Sequence, residues 1–347
     1  MDSVPAFKVT IDGRDITSKI RSRLVSLTLT DCRGEESDQL DLTLDDSDGL
    51  LAIPRRGAEI SVFLGWEISP AKGVPAGIVA KGSFTVDEAE HHGAPDVITL
   101  RARAADLIAE LRGLKDRSWH QRRVGDIVGT IAREHGLQAR IAPALNTRTV
   151  DHVDQTSESD ANFLRRLGRQ YDAVATIKNG TLLFLPASES KTAAGVDLSR
   201  VTLMRRDGDA HRYHTASRDA YTGVRAYWHD PKRSNRRGVL VGLSGGAKRL
   251  RTTFANRQDA LAAATAEWQR IQRGAATFSC TLAYGRADIL PQSPVTVQGF
   301  KADIDATDWI VVRLRHELTQ GGFTTEIECE VAGADGGQAL RPIDDDS

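Results

Sequence analysis

Cysteine is scarce in this chain, and what there is stands apart: Cys32, Cys280 and Cys329 form no C-x-x-C pair. That spacing argues against a disulfide framework or a zinc site and suits folding in a reducing cytoplasm. An excess of either charge sign is also missing. Forty-six basic residues face 47 acidic ones, a net charge of −1, so no global field draws the chain onto nucleic acid or an anionic membrane. No run approaches the roughly 18 to 20 apolar residues of a membrane span. Met1-Asp2-Ser3-Val4-Pro5 has neither a basic nor an apolar region of a secretion signal, so a protein made and kept soluble is expected. What remains is ordinary globular composition, 40% apolar and 27% charged, in 347 residues, which suits two or three domains.

The periodicity then divides the chain. Through residues 1–112, Leu40, Leu42 and Leu44 alternate with Asp41, Thr43 and Asp45. Ile60, Val62 and Leu64 repeat that period of two, as do the runs around Leu27, Val86 and Ile98. Turn residues such as Asp12-Gly13, Asp48-Gly49 and Pro54 to Gly57 separate them, which predicts a first antiparallel β-domain, a barrel or a sandwich. Residues 113–190 read as a small α+β insert. Val124, Ile127, Val128 and Ile131 make one helical stripe that stops at Gly136 in a left-handed cap. Ser157 with Asp160 has capping-box spacing and begins a second helix with Phe163, Leu164, Leu167 and Tyr171 on one face. Asn179-Gly180 turns a hairpin. Residues 191–333 return to strand patterning, closed by a hairpin at Gly321-Gly322. One helix interrupts, capped by Asn256 with Asp259 at N3, carrying Leu261, Ala264, Trp268 and Ile271 and stopping at Gly274. This predicts a second β-domain. Residues 334–347 read as a disordered acidic tail. The fold class expected from the residues is therefore β-rich α+β, two β-domains flanking the insert.

No reaction centre emerges from the residues. His91-His92 reads as a loop pair whose side chains point apart, so they chelate poorly. His211 and His214 would converge only on a helix, and no helical pattern covers them. His120, His135, His152 and His316 are isolated and read as capping or part-buried residues. Carboxylate clusters such as Asp45-Asp46-Asp48 and Asp87-Glu88-Glu90 fall at strand ends, where solvated turns account for them. Gly242 to Gly246 misses the G-x-S-x-G spacing and lacks the Gly-Lys-Ser/Thr of a phosphate loop. The basic tract Lys232, Arg233, Arg236 and Arg237, following Tyr227-Trp228, reads as a hairpin tip or subunit-contact loop rather than a nucleic-acid site. No catalytic residue, metal site or cofactor is expected.

Several fragments, in order, resemble one family. Val9 to Thr17 with Leu24 to Asp31, Glu36 to Leu44, Gly65-Trp66, Val86-Asp87-Glu88 and the Gln155–Leu167 segment, with Asn162 inside it, carry the likeness. Val295 to Phe300 and His316 with Gly322-Phe323-Thr324-Thr325 complete it. Together they resemble the late control D proteins, the tail hubs of contractile-tailed phages and related injection machines. The resemblance implies that the two β-domains are antiparallel β-barrels flanking the α+β insert, and that three copies form a homotrimeric ring with pseudo-sixfold symmetry. Such a ring adapts the hexameric tail tube to the trimeric spike and sits in the baseplate with other baseplate proteins after assembly in the bacterial cytoplasm. Nucleic acid would pass only through the lumen. Stretches 31–38, 66–82 and 228–250 are expected as interface loops. Two other functions stay open: a tail-associated peptidoglycan hydrolase, which needs two close carboxyls with one pKa raised, and a channel protein contacting nucleic acid through residues 232–251.

Overall fold

The computed structural model describes residues 4–34, 37–104, 109–178, 180–188, 190–191, 196–215, 221–230, 235–333 and 343–345. The first elements are β1 (Pro5–Ile11), β2 (Arg14–Asp15), α1 (Thr17–Ile20), β3 (Leu24–Cys32), β4 (Gln39–Asp45), β5 (Glu59–Trp66), β6 (Gly77–His92) and β7 (Val97–Ala104). Next come β8 (Leu114–Arg123), α2 (Val124–Glu134), β9 (Gln138–Ile141), α3 (Pro143–Asn146), β10 (Thr149–Ser159), α4 (Asp160–Gln170), β11 (Ala173–Lys178) and β12 (Thr181–Pro186). There follow β13 (Val201–Met204), β14 (Gly208–Thr215), β15 (Gly223–Asp230), β16 (Asn235–Gly242), β17 (Lys248–Phe254) and α5 (Arg257–Arg273). The last are β18 (Ala276–Leu282), β19 (Pro294–Gln298), α6 (Ala302–Asp305), β20 (Trp309–Thr319), β21 (Gly322–Val331) and β22 (Ile343–Asp345). Among the described residues, no helix is long and apolar enough to cross a membrane.

These elements fall into two compact units. The first holds Met1–Leu107, Asp197–Tyr213 and Phe278–Cys329. Its thirteen strands make one sheet in the order β14-β18-β21-β20-β3-β4-β7-β6-β5-β1-β2, with β19 on β20 and β13 on β19. The period-two pattern does its expected work here: Leu40, Leu42 and Leu44 turn into the core with Ile60, Val62, Leu64, Phe84 and Leu100. Among the described residues, the strands do not close into separate N-terminal and C-terminal barrels. β20 pairs antiparallel with β3, Arg313 opposite Cys32 through Thr319 opposite Ser26, so the two ends of the chain share one sheet. Alternation tells which face of a strand is buried; it carries no information about a partner far away in sequence.

The second unit holds Ile108–Val196, His214–Thr277 and Glu330–Ser347, so residues 191–333 divide between the units. β8 and β10 form a two-stranded ribbon, β11, β12 and β9 a three-stranded sheet, and β17, β15, β16 and β22 a four-stranded one. α2 and α4 bury Val124, Ile127, Val128, Ile131, Phe163, Leu164 and Leu167 with Leu182 and Phe184 of β12. Gly136 follows α2 at φ +67, the left-handed cap its sequence called for. α5 lays Ala260 and Ala264, flanked by Leu261, Trp268 and Ile271, over Val224, Ala226, Val239 and Val241. Asn256 caps α5 as expected, its side chain accepting from the Asp259 N–H at 2.8 Å. The tail expected to be disordered lies outside the described residues except for β22, which pairs antiparallel with β16.

Candidate functional site

Two groups of the residues that carried the resemblance lie in contact, one group within each unit. In the second unit, the β8–β10 ribbon runs in register from Thr149 opposite Arg123 to Gln155 opposite Arg117, then slips so that Glu158 faces Lys115. The extra residue makes a β-bulge, with Ser157 at φ +44 and its N–H donating to Asp116 Oδ1 at 2.7 Å. Ser157 is therefore not the helix cap. β10 continues to Ser159, whose side chain accepts from the Asn162 N–H at 3.3 Å, so α4 begins two residues later than the sequence suggests. Two serines two residues apart, each with a polar residue three ahead, satisfy the same capping template. The strand partner decides between them, and β8 is too polar to be read as a strand.

The bulge aims Gln155 and Asp160 inward, and both are fully buried. Gln155 accepts from Arg117 Nε at 2.8 Å and donates to Asp160 Oδ1 at 2.9 Å and to the Glu158 carbonyl at 2.8 Å. Asp160 also receives Lys115 Nζ at 2.7 Å, His135 Nε2 at 2.8 Å, and the Arg117 guanidinium. Glu134 binds the same two cations, Lys115 at 2.8 Å and Arg117 at 2.9 Å. Burial pushes the Asp160 carboxyl up. Hydrogen bonds from His135, Lys115 and Gln155 and the Arg117 charge outweigh it and hold the group at about 2. Glu134 is likewise lowered, its burial outweighed by Lys115 and Arg117. Glu134, His135 and Asp160 have donor atoms close enough for a metal ion. Lys115 and Arg117 already balance the two carboxylate charges, however, so the geometry is that of an internal ion-pair tie between ribbon and helices.

A pH prediction follows from Asp160. Its folded-state pKa lies below the ordinary 3.8, so its stabilising share is complete above about pH 4 and is lost as pH falls toward 2. The difference corresponds to about 2 kcal/mol. Urea unfolding of the wild type and Asp160→Asn at pH 6 and pH 2.5 is expected to show most of that share lost in the wild type alone. Equal pH slopes in the two proteins would contradict it.

In the first unit, Gly65-Trp66 of β5 meets Gly322-Phe323 of β21. The Trp66 ring lies 5.6 Å from Phe323 and edge-on to Tyr284 at 5.8 Å, and its Nε1 donates to the Gly285 carbonyl at 2.8 Å. Gly65 is needed for close approach: a Cβ there would fall 1.9 Å from the Gly77 carbonyl on the paired strand. His316, fully buried, shares a hydrogen bond with Thr325 Oγ1 at 2.8 Å. Burial first, then the Lys81 charge, pushes its pKa well below the ordinary value, so it stays neutral. Lys81 is itself buried, 3.4 Å from Asp31 and 3.3 Å from the Ala287 carbonyl.

Other sequence candidates resolve individually. His91 and His92 end strand β6 rather than lying on a loop, and His91 stands 3.4 Å from Asp46. His211 and His214 lie on strand β14, where residues three apart face opposite sides. Lys232 and Arg233 lie outside the described residues. Arg236 and Arg237 are on β16, Arg236 stacked 3.8 Å over Tyr227 and Arg237 6.0 Å from Trp228, so the basic and aromatic interleaving is internal cation–π pairing. Parts of the expected interface loops are strands: Gly77–His92, Asn235–Gly242 and Lys248–Phe254. Asp151 and Asp259 both contact the Asn256 amide, at 2.5 and 2.9 Å, and burial followed by the Asp151 charge raises the Asp259 pKa. An amide donor sits between these carboxyls, at the cap of α5. His120 and His152, isolated in sequence, are neighbours in space.

The residues singled out are thus packing and ion-pair ties, the construction of a structural, β-rich scaffold. The model of the phage tail baseplate hub (GPD) family matches residues 35–322. Proteins named probable baseplate hub protein from Escherichia phage 186 and Escherichia phage P2 are each 41% identical to this chain, over 95% of it and 94% of their own length. Its fold is similar to that of a 43 kDa tail protein of prophage MuSo2 from Shewanella oneidensis. That structure superposes with a TM-score of 0.67 at 14% identity, covering 94% of this chain and 98% of the other. The chain belongs to the phage tail baseplate hub family. It is a structural component of the virion tail.

Proposed function

We propose that the chain works as a non-catalytic, homotrimeric ring in the baseplate, matching the hexameric tail tube on one side and a trimeric spike on the other. The observation that carries this reading is the 41% identity to the two phage hub proteins over nearly the full length of both partners. In such a ring, two β-rich regions of each copy take pseudo-equivalent places around the axis, so three chains present six similar elements to the tube. An open sheet of thirteen strands has edges, and a neighbouring copy is the natural cover for them. Nucleic acid then passes through the lumen without a dedicated binding site, in keeping with a net charge of −1. The buried ties at Asp160 and Trp66 suit a part that must hold its shape under load.

Light scattering on the purified chain across a concentration series tests this. Three chain masses are expected, either alone or on addition of the cognate spike protein. A chain that stays monomeric with the spike present overturns the ring. Degradation of cell-wall sacculi lost in Asp259→Asn would move the reading to the hydrolase.

A further inference from the structure

The β8–β10 ribbon that ends in the Asp160 tie carries a second constellation on its solvent side. His120 and His152 are directly opposite each other in the antiparallel register, so their side chains leave the same face of the ribbon. Their rings stack with centroids 4.4 Å apart, and the two Nδ1 atoms face each other at 3.0 Å. Two imidazole nitrogens at that distance cannot both carry a proton: one donates and one accepts. Asp154 decides which. Two residues along the same strand face, its Oδ2 lies 3.0 Å from His152 Nε2, and its Oδ1 accepts from the Ser118 hydroxyl of the opposite strand. A carboxylate on Nε2 holds the proton there and leaves the His152 Nδ1 lone pair directed at His120. This is the arrangement by which an outer carboxylate orients a metal-ligating histidine.

We propose that His120 and His152 form a bis-imidazole site for a divalent first-row transition ion, clipping the two strands of the ribbon together. Asp154 is the positioning residue. With metal–nitrogen bonds of about 2.0 to 2.1 Å, a 3.0 Å separation of the two nitrogens corresponds to an angle near 90° at the ion. That angle fits neighbouring positions of a tetragonal or octahedral ion better than a tetrahedral one, which points to Cu2+ or Ni2+ ahead of Zn2+. The site is open: side chains of His152 and Asp154 are 46% and 49% exposed, so water can fill the remaining positions. The ion takes the place of the shared proton and displaces no buried partner. The Glu134–His135–Asp160 set differs on this point, since Lys115 and Arg117 already occupy its carboxylates.

The test uses the full chain, free of any histidine tag and stripped with chelator, titrated with Cu2+ and with Ni2+ by calorimetry. Copper electron paramagnetic resonance is recorded at one equivalent. One ion per chain is expected, with hyperfine splitting from two imidazole nitrogens. His120→Ala and His152→Ala are each expected to weaken binding at least tenfold and remove the two-nitrogen signature. Asp154→Asn is expected to weaken it about 10- to 100-fold at unchanged stoichiometry. All three positions are exposed, and thermal melts of the metal-free variants check that the fold is retained. The proposal is overturned if the wild type binds no more tightly than His120→Ala/His152→Ala. It is equally overturned if Glu134→Gln, rather than the histidine variants, abolishes the two-nitrogen site.

Discussion

Asp160→Ala is expected to destabilise the unit built on the β8–β10 ribbon by about 3 to 5 kcal/mol, the cost of removing one partner from a buried charge pair. The side chain is fully buried and accepts from Lys115, Arg117, His135 and Gln155. Alanine leaves the Gln155 amide, itself fully buried, short of one acceptor and removes the charge that two cations approach. Glu134 still holds both cations, and Lys115 is 32% exposed and can turn to water, which places the loss toward the lower end of the range. Asp160→Asn keeps the shape and an acceptor oxygen, so a smaller loss of about 1 to 3 kcal/mol is expected. In a double-mutant cycle with Arg117→Ala, the pair is expected to be non-additive by about 0.5 to 3 kcal/mol, since both substitutions empty the same network. Denaturant midpoints at pH 7 read all three. A loss under about 1 kcal/mol for Asp160→Ala would mean that the cluster is well solvated and ties nothing.

That network shows where a sequence reading runs out. Strands with one greasy face are legible: Leu40, Leu42 and Leu44 alternate and are buried as the period of two demands. Helix ends are legible where the cap chemistry is unambiguous, as at Asn256 and Gly136. β8 breaks the rule that buried faces are apolar. Lys115 and Arg117 sit on its inward side with no hydrophobic alternation to betray it, so the strand is missed and α4 is started two residues too early. Gln155 and Asp160, inside the segment that carried the likeness to the hub family, are the buried polar centre of that network. A charged residue at a position that must be buried is the one cue the sequence offered, and it becomes readable only once the ribbon is known. Long-range pairing is the other gap. β3 joins β20, and His120 meets His152, through register alone, and neither contact leaves a trace in local periodicity.

Trp66→Ala is expected to cost the first unit about 3 to 5 kcal/mol. The indole is 3% exposed and fills a space walled by Phe323 and Tyr284, and its N–H is the donor to the Gly285 carbonyl. The surroundings are poorly able to collapse into the cavity left behind. Gly65 already brings its backbone against the Gly77 carbonyl, and Gly285 lies so close to Phe323 that a Cβ there would fall 2.5 Å from the ring. Trp66→Phe separates the two contributions. It keeps an aromatic ring against Phe323 but takes the donor from a buried carbonyl, for which about 1 to 3 kcal/mol is expected. Because Trp66 comes from the N-terminal strands and Phe323 from the C-terminal ones, the loss is expected to appear first as faster amide exchange in β5 and β21. The ribbon around Asp160, in the other unit, is expected to keep its protection. Unchanged exchange in β5 and β21 would show that the sheet pairing of β20 with β3 holds the chain's two ends together without the aromatic contact, and that Gly65-Trp66 and Gly322-Phe323 serve something other than the stability of this unit.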